Sequence, residues 1–592
     1  MIGEVRHKFK PQNIFSTVFF ISLAGVLMLI FDFGFDKDPK VQMFINGLYF
    51  LVLVSGIFVT IYRYLRLTKT LRINVVIFDA ITNLIILFVI GAHFFGIRNN
   101  SNSEHINLLY SDNTLKLSIL FTFLREFAAR KISFQRNYLN PGQLFFLSFL
   151  VIILVGTIIL KLPNSTYDGI SWLDAFFTST SAVCVTGLIV VDTATYFTTF
   201  GQSVIMILIQ FGGLGILTFV SYFSYFFKGG SSFENQIVLQ DMTSSDKIGE
   251  VFKMLKNILL ITFIIEFLGG IFIYFSINSM TELSFEDQVF FSIFHSVSAF
   301  CNAGFSTLTN SLNENGYQYN YNLHLSIIFL LVVGGLGFPI VSNSLYYLKY
   351  KFLNIISPLT RQKKKIKPWI FNLTSRITIS TTLTLIVIGT IFFYFSEFHH
   401  TLSDHSNYGK IVTALFESTT PRTAGFNTVN MNNFSMPTLI FVIFLMWIGA
   451  SPASTGGGIK TSTFAIAIMN FISIARGKDR VEIYRRQISD FTIRRAFGVI
   501  ILSLLTIGGG IILISINDGD KGLLNIIFES FSAYSTVGLS LGITSSLTEY
   551  SKFVLIALMF LGRVGMMTFL FAIIKKEKYS NYRYPNSEIL IN

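Results

Sequence analysis

Long apolar stretches separated by short polar segments run through the whole chain. Three of them, near 14–31, 44–62 and 73–95, are long enough to cross a bilayer as helices, and a weaker one lies at 115–128. From about residue 143 the pattern changes: an apolar helix is followed by about ten small, aromatic and hydroxyl residues, and then by a second apolar run. The middle segment is too short to span a membrane. This layout therefore predicts a re-entrant loop, whose backbone must be buried in protein or line water.

Four such loops occur, and each is centred on a glycine. Their sequences are AVCVTGLIV around Gly187, AFCNAGFST around Gly304, PRTAGFNTV around Gly425 and AYSTVGLSL around Gly538. The glycines are 117, 121 and 113 residues apart, which is too regular for chance and too long for a solenoid repeat. The spacing predicts four tandem modules behind an N-terminal transmembrane extension. The predicted boundaries are 1–142 for the extension and 143–250, 251–368, 369–492 and 493–592 for modules one to four.

A glycine at the apex of each loop permits positive φ and lets carbonyl oxygens turn inward. Four such turns around one axis would form a ring of oxygens able to replace the hydration shell of a monovalent cation. The predicted fold is an all-α polytopic membrane protein, with four helix, pore loop, helix modules in a pseudo-fourfold arrangement around one pore and about four N-terminal transmembrane helices. The candidate filter residues are Val185, Thr186, Gly187, Asn302, Ala303, Gly304, Thr423, Ala424, Gly425, Thr536, Val537 and Gly538.

Composition and charge agree with a membrane protein. With 52% hydrophobic and 13% charged residues, the chain cannot be an ordinary soluble protein. The net charge of +13 could indicate nucleic-acid binding, but Lys and Arg cluster in short connectors, notably 349–376 and 476–495. Acidic residues lie on the pore-loop side, so the positive-inside rule predicts cytoplasmic connectors, a cytoplasmic N-terminus and an acidic external vestibule. The first apolar run lacks a small-residue cleavage site and is expected to stay as a signal anchor.

A second repeated feature follows each pore loop in the helix that returns to the cytoplasm. The four copies are FGGLG at Phe211–Gly215, VGGLG at Val333–Gly337, IGASP at Ile448–Pro452 and LGRVG at Leu561–Gly565. Small residues would let four inner helices approach closely. The fourth copy carries Arg563, and a guanidinium near the bilayer midplane costs roughly 2.5–3.5 kcal/mol on insertion scales. We expect Arg563 to act as a barrier or gate anchor beneath the filter, or as a packing residue that bonds loop carbonyls; the two interpretations overlap.

The returning segment of module three is interrupted by GASPASTGGGIKTST, residues 449–463. Pro452 and three consecutive glycines cannot hold a stable helix. An irregular backbone at this depth must be buried or line the cavity, so the stretch predicts a movable gate, with a merely kinked helix as the alternative. The candidate gate residues are Thr455, Gly456, Gly457, Gly458 and Lys460, together with Arg563.

Cysteine and histidine give weaker signals. Cys184 and Cys301 each lie three residues before a filter glycine, and this repeat-equivalent placement favours packing behind the loop over a disulfide or metal site. His399, His400 and His405 resemble metal ligands in type only. No carboxylate or cysteine cluster accompanies them, so a solvated external turn is the preferred interpretation.

Two groups of charges near or inside apolar runs remain. Arg63, Arg66, Lys69 and Arg72 occur at every third position, as in a voltage-sensor helix. We prefer a basic internal turn that fixes topology, because these charges fall between two spans. Glu266 lies within an apolar run and is expected to pair with a basic group or cap a pore helix; the sequence does not decide which.

Six motifs in order carry a family resemblance: VCVTGL, AFCNAGFSTL, RTAGFNT, SPASTGGGIKT, STVGLSLGIT and GRVG. Over about residues 140–577 the chain resembles the Trk/Ktr/HKT superfamily of potassium transporters, in particular its bacterial TrkH and KtrB membrane subunits. The resemblance implies a pseudo-fourfold monomer with its own pore, a filter at the four glycines, a gate loop at Ser451–Thr461 and a module-four arginine at Arg563. All four filter positions are Gly, which implies K⁺ selectivity.

The resemblance also implies a homodimer in the bacterial cytoplasmic membrane and a cytoplasmic ring of TrkA- or KtrA-like nucleotide-binding regulatory subunits on the basic inner face. It implies K⁺ as the transported ion. No cofactor or catalytic residue is expected, since no nucleophile and base constellation is evident. A Na⁺-selective or Na⁺- or H⁺-coupled transporter and a simple ion channel remain alternatives.

Two departures predict an asymmetric filter. Asn302 stands where the other copies have Thr or Val. Module three also has one residue fewer between Phe416 and Gly425 than module two has between Phe294 and Gly304.

Overall fold

A computed structural model of the protein describes residues 11–66, 73–94, 112–129, 141–215, 251–278, 283–356 and 371–565, together with residue 570. These residues form helices with short connections and one hairpin, β1 (Glu482–Ile483) and β2 (Arg486–Gln487). Within this part of the chain, five helices are long and apolar enough to cross a membrane, and a bent pair counted as one span would make six. The fold is therefore that of a helical membrane-spanning protein.

The described residues of the N-terminal extension form a bundle of four helices. They are α1 (Pro11–Gly34), α2 (Pro39–Arg66), α3 (Ile73–Phe94) and α4 (Asp112–Ala129), and they lie at the four apolar runs. Of these, α1 and α2 are long and apolar enough to cross a membrane. Leu29, Tyr49, Leu53, Ile86 and Ile119 are among the buried side chains that fill its centre.

Buried ion pairs join the helices of this bundle. The Arg63 guanidinium donates to both oxygens of Glu126 on α4, at 2.7 and 2.9 Å. Arg125 donates to the two oxygens of Asp79 on α3, at 2.5 and 2.8 Å. Because a buried charge is tolerated only with its partner, these pairs fix how the helices fit together. The prediction of a basic turn is wrong for Arg63, which lies inside α2; Lys69 and Arg72 lie outside the described residues.

Each later module has an outer helix, a shorter pore helix and an inner helix. Modules one and two comprise α5 (Pro141–Leu160), α6 (Trp172–Cys184), α7 (Thr199–Leu214), α8 (Val251–Ile277), α9 (Phe285–Phe300), α10 (Tyr321–Leu336) and α11 (Phe338–Ile356). Modules three and four comprise α12 (Leu373–Ser396), α13 (Asn407–Thr419), α14 (Met436–Trp447), α15 (Thr461–Ala475), α16 (Asp490–Asp518), α17 (Leu523–Ser535) and α18 (Glu549–Val564). The pore helices are α6, α9, α13 and α17.

Within the described residues, two inner helices are seen to be interrupted and to continue. The axis of α10 turns by 105° into α11 at Gly337. In module three, residues 448–460 separate α14 from α15, and we call this segment the Gly-rich loop. The predicted break at Pro452 and the glycines is observed, so a simple kinked helix does not describe this region.

Serine caps start three of the pore helices. The Oγ atoms of Ser171, Ser284 and Ser406 accept the backbone N–H three residues on, at 3.0, 3.2 and 3.1 Å. Such caps satisfy N–H groups that the first helical turn leaves unpaired.

A serine also fastens each of the first three pore helices to its outer helix. Ser179, Ser296 and Ser418 donate to the carbonyl oxygens of Ile153, Glu266 and Ile386, at 2.7, 2.6 and 2.8 Å. A glycine lies three residues after each acceptor, and a Cβ there would meet the serine hydroxyl. In module four, the equivalent Ser530 has no hydrogen-bond partner among the described residues.

Candidate functional site

The four predicted loop glycines lie together in one closed ring. All four have positive φ, at 88°, 71°, 78° and 92° in chain order. A Cβ on Gly187 would run into the carbonyl oxygen of Ala303, and a Cβ on Gly304 would lie 2.8 Å from that of Ala424. The same kind of contact continues around the ring, since a Cβ on Gly425 would meet the carbonyl oxygen of Val537 and a Cβ on Gly538 would meet that of Thr186. Each glycine therefore abuts the loop of the next module, and only glycine fits.

The residue two positions before each glycine is also left-handed. Val185, Asn302, Thr423 and Thr536 have φ of 60°, 60°, 70° and 52°. Such values are uncommon for residues with side chains. In each loop, two left-handed residues flank one ordinary residue, and the chain changes direction over these three residues. The C-terminal ends of the pore helices, which carry partial negative charge, consequently converge on the ring and favour a cation there.

Each pore loop is held by its own pore helix. Ser181 and Ser532 accept the N–H of Gly187 and Gly538, both at 3.1 Å. In module two, the Ser298 hydroxyl donates instead to the carbonyl oxygen of Phe305, at 2.7 Å.

Module three reproduces the module-two bond with Thr420 as donor and the Phe426 carbonyl oxygen as acceptor. Ser298 and Thr420 each lie four residues after a fully buried phenylalanine, Phe294 or Phe416. The residue that module three lacks is therefore missing after Thr420, in the turn itself. This locates the asymmetry that the sequence predicted.

A second set of buried polar side chains was missed by sequence reasoning. Each pore helix has a buried phenylalanine at the same repeat position, namely Phe177, Phe294, Phe416 or Phe528. The residue that follows it is Thr178, His295, Glu417 or Glu529, respectively. His295 Nε2 lies 2.9 Å from Ser306 Oγ, and Glu417 accepts from the Thr428 hydroxyl at 2.8 Å. His295, Glu417 and Glu529 thus pair with the segment that leaves the ring, whereas the Thr178 hydroxyl has no hydrogen-bond partner among the described residues. The signal was available, since two carboxylates and a histidine occupy one repeat position inside half-length apolar helices.

Glu529 bonds two hydroxyls of the outgoing segment. It is fully buried and accepts hydrogen bonds from the hydroxyls of Ser540 and Thr544. Hydrogen bonds to a buried carboxylate offset part of its desolvation cost. Glu529 thereby ties the outgoing segment of module four to its pore helix.

The Gly-rich loop lies against the ring on the side where the pore helices end. The Thr455 hydroxyl is 3.0 Å from Asn302 Oδ1, and the N–H of Gly457 donates to Thr536 Oγ1 at 2.9 Å. A Cβ on Gly456 would collide with Thr423 Oγ1. The predicted gate residues 455–457 are thus in contact with filter loops two, three and four.

Two further contacts seat the Gly-rich loop on module two. The N–H of Ser451 donates to the carbonyl oxygen of Gly335 at 3.0 Å. A Cβ on Gly337, at the bend between α10 and α11, would lie 2.6 Å from the carbonyl oxygen of Pro452. The loop therefore fits the bend of a neighbouring inner helix.

Arg563 bridges the Gly-rich loop and module one. Its guanidinium donates to the carbonyl oxygens of Thr455 and Gly212. Lys460 donates to the carbonyl oxygen of Gly456 at 2.6 Å, within the loop itself. Gly458, with φ of 65°, packs on Gly449. The basic side chains of Arg563 and Lys460 thus both donate to backbone carbonyl groups that the interruption of the helix leaves without a helical partner.

The repeated small residues pack as anticipated for close helix approach. A Cβ on Gly212, Gly334 or Gly562 would collide with a carbonyl oxygen at the end of a pore helix. The module-three equivalent, Gly449, instead lies against the carbonyl of Gly457 in the Gly-rich loop.

The remaining candidates lie away from the ring axis. Cys184 and Cys301 are buried free thiols, and Cys301 Sγ lies 3.8 Å from Glu266 Oε1. Glu266 accepts from Gln210 Nε2 at 3.1 Å. It is thus paired with neutral groups, whereas the sequence suggested a basic partner or a helix cap.

The histidine segment is only partly a solvated turn. His399 and His400 are exposed, but His405 is buried, with Nδ1 3.2 Å from the Tyr321 hydroxyl. Burial lowers the pKa of His405. Within the described part of the chain, no group of three His, Cys, Asp or Glu residues is placed to hold a metal ion.

Comparison with known proteins gives consistent results. Residues 113–583 match the model of the TrkH family, described as a cation transport protein. Ktr system potassium uptake protein B of Bacillus subtilis is 36% identical over 452 residues, which is 76% of this chain and 96% of that protein. The potassium/sodium uptake protein NtpJ of Enterococcus hirae is 35% identical over 464 residues, covering 77% and 98% of the two chains.

A solved structure supports the fold. The crystal structure of the potassium transporter TrkH from Vibrio parahaemolyticus matches with a TM-score of 0.59 at 16% identity, covering 94% of this chain and 98% of that one. The fold class predicted from the apolar pattern is confirmed by this match.

Proposed function

The chain belongs to the TrkH family of cation transport proteins, and we propose that it mediates K⁺ uptake across the membrane through the ring of four pore loops. The observation that carries this proposal is the closure of Gly187, Gly304, Gly425 and Gly538 into one ring from a single polypeptide. Inward carbonyl oxygens at this ring would replace the water around K⁺. The converging ends of four pore helices would lower the energy of a cation there.

We propose that the Gly-rich loop is the gate. The loop contacts the pore-helix end of the ring through Asn302 and Thr536 and accepts a hydrogen bond from Arg563. In this proposal, that arrangement is the closed state of the pore. Conduction requires the loop to leave, and glycines at 456–458 give its backbone the freedom to do so.

Purified protein in liposomes tests transport directly. Radioactive rubidium should accumulate in response to an imposed K⁺ gradient, and Gly425→Ser should abolish this uptake, because a side chain there meets the carbonyl of Val537. Gly508→Ala is a matched control, since a Cβ at Gly508 meets nothing within 4 Å. Failure of the wild-type protein to carry rubidium would refute the proposal.

Coupling separates the alternative functions. One relative is named a potassium uptake protein and another a potassium/sodium uptake protein. We propose K⁺ as the principal ion, with Na⁺ or H⁺ coupling or simple channel behaviour as alternatives. A reversal potential that moves with the Na⁺ or H⁺ gradient indicates coupling, whereas one that follows K⁺ alone indicates a channel.

We further propose a homodimer in the bacterial cytoplasmic membrane, with the N-terminus inside and a TrkA- or KtrA-like nucleotide-binding ring on the basic inner face. The connector at 476–495, which contains the β1–β2 hairpin, carries seven basic and three acidic residues and supports this placement. Light scattering of the purified protein tests the dimer. Protease access to the 476–495 connector in oriented vesicles tests the topology.

A further inference from the structure

The residue two positions before each filter glycine distinguishes the four loops. Val185, Asn302, Thr423 and Thr536 share the same left-handed backbone. A carbonyl filter coordinates the ion through the backbone of these residues. Three of the four side chains are nevertheless polar, and all four are buried. Their side chains are therefore available for another task.

Two of these polar side chains form hydrogen bonds with the Gly-rich loop. Asn302 uses both ends of its amide: Nδ2 donates to the carbonyl oxygen of Leu331 at 3.3 Å, and Oδ1 accepts from Thr455 at 3.0 Å. Thr536 Oγ1 accepts the N–H of Gly457 at 2.9 Å. Thr455 thus contacts the pore loop of module two, and Gly457 contacts the pore loop of module four.

Thr423 provides an internal contrast. It has the same residue type and the same backbone position as Thr536, but its hydroxyl has no hydrogen-bond partner among the described residues. Thr423 Oγ1 instead lies where a Cβ on Gly456 would be. Thr423 and Thr536 therefore differ in one bond, the one to the loop.

We propose that Asn302 and Thr536 form a latch through which the filter itself holds the Gly-rich loop closed. This rests on the proposed function, in which that loop is the gate. The latch makes the filter loops of modules two and four positioning elements for the gate. Neutral hydrogen bonds of this kind are each worth a factor of roughly two to ten in an equilibrium.

Thr536→Val is the test variant, with Thr382→Val as its matched control, since Thr382 on the outer helix α12 is also buried and its hydroxyl has no hydrogen-bond partner among the described residues. Valine is compatible with the backbone, because Val185 already has φ of 60° at this position. Rubidium flux through liposomes without any cytosolic partner should rise roughly two- to tenfold for Thr536→Val. The Rb⁺ to Na⁺ flux ratio should stay unchanged, and Thr382→Val should match the wild type.

Two further variants protect the test against misfolding. Thr536→Ser keeps the acceptor and should give a lower resting flux than Thr536→Val, while Thr455→Val removes the bond to Asn302 from the loop side and should raise resting flux. All variants are checked for monodispersity by gel filtration.

The latch is refuted if Thr536→Val and Thr382→Val give the same resting flux, or if Thr536→Val alters the Rb⁺ to Na⁺ ratio at unchanged resting flux. Absence of rubidium flux from the wild type and every variant would instead overturn the proposed function, and the latch with it.

Discussion

The pore loops and the Gly-rich loop are both irregular segments inside the helical core, but they are held in opposite ways. Each pore loop is fastened by its own pore helix, as Ser181 fastens Gly187 and Glu529 fastens Ser540. The Gly-rich loop of module three is fastened largely by other modules, through Asn302, Thr536 and Arg563. Bonds within one module keep their geometry when modules shift, whereas bonds between modules do not. The pore loops are suited to a fixed filter, and the Gly-rich loop to a part that moves.

The largest effect is expected in the ring. Gly187→Ala places a Cβ against the carbonyl of Ala303 at φ of 88°. A left-handed backbone costs alanine roughly 1–2 kcal/mol even without the collision. Rubidium flux in liposomes should fall about tenfold or more, whereas Gly509→Ala, where a Cβ meets nothing within 4 Å, should leave it intact. Normal flux through Gly187→Ala would show that the ring is not the path.

The next largest effect is expected in the gate, with opposite sign. Arg563→Gln loses a charge-assisted bridge from Thr455 to Gly212, and such hydrogen bonds contribute about 1.5–3 kcal/mol. Resting flux should therefore rise roughly tenfold or more.

Arg563→Lys separates the two interpretations of this residue. The variant keeps the positive charge but not the planar fork that reaches two carbonyls. Resting flux close to that of Arg563→Gln is expected if the bridge matters. A lysine variant indistinguishable from wild type would show that charge alone blocks the pore.

A smaller effect is expected from the support behind the filter. Glu529→Gln offers one acceptor oxygen where Ser540 and Thr544 share a carboxylate, so the outgoing segment loses about one hydrogen bond. The K⁺ to Na⁺ flux ratio should fall roughly two- to fivefold while flux persists. Ser530→Ala, next to it and without a hydrogen-bond partner among the described residues, should leave the ratio unchanged. If Glu529→Gln and Ser530→Ala gave equal K⁺ to Na⁺ flux ratios, Glu529 would have no role in supporting the filter.

The smallest effect on transport is expected in the N-terminal bundle. Asp79→Asn removes the buried carboxylate that pairs with Arg125, and removing one partner of a buried ion pair costs about 3–5 kcal/mol. Hydrogen exchange in α1–α4 should increase, while rubidium flux per folded molecule stays as in wild type. The exposed Asp38→Asn serves as control. A matching loss of flux would mean that the extension takes part in conduction.

Repetition explains how much the sequence revealed. Gly187, Gly304, Gly425 and Gly538 were predicted because one chain repeats the same backbone requirement four times. Arg563 stood out because it breaks a repeat of small residues. Apolar length alone was enough for the helices of the extension and for the fold class.

Contacts made once were not predictable in this way. The bond from Asn302 to Thr455 joins two modules, and its existence depends on how those modules pack. The pairing of Arg63 with Glu126 and the burial of His405 against Tyr321 likewise join residues distant in the chain. No local pattern encodes such distances. Glu417 and Glu529 are a different case: sequence reasoning missed them, although the repeat position that they share is visible in the sequence.

The central claim is that four pore loops form a single cation site. Crystals grown in Rb⁺ and measured at the rubidium absorption edge test it most directly. Anomalous density should lie on the axis between Gly187, Gly304, Gly425 and Gly538, and should vanish when Na⁺ replaces Rb⁺. Ordered rubidium elsewhere in the protein, with none on that axis, would contradict the claim.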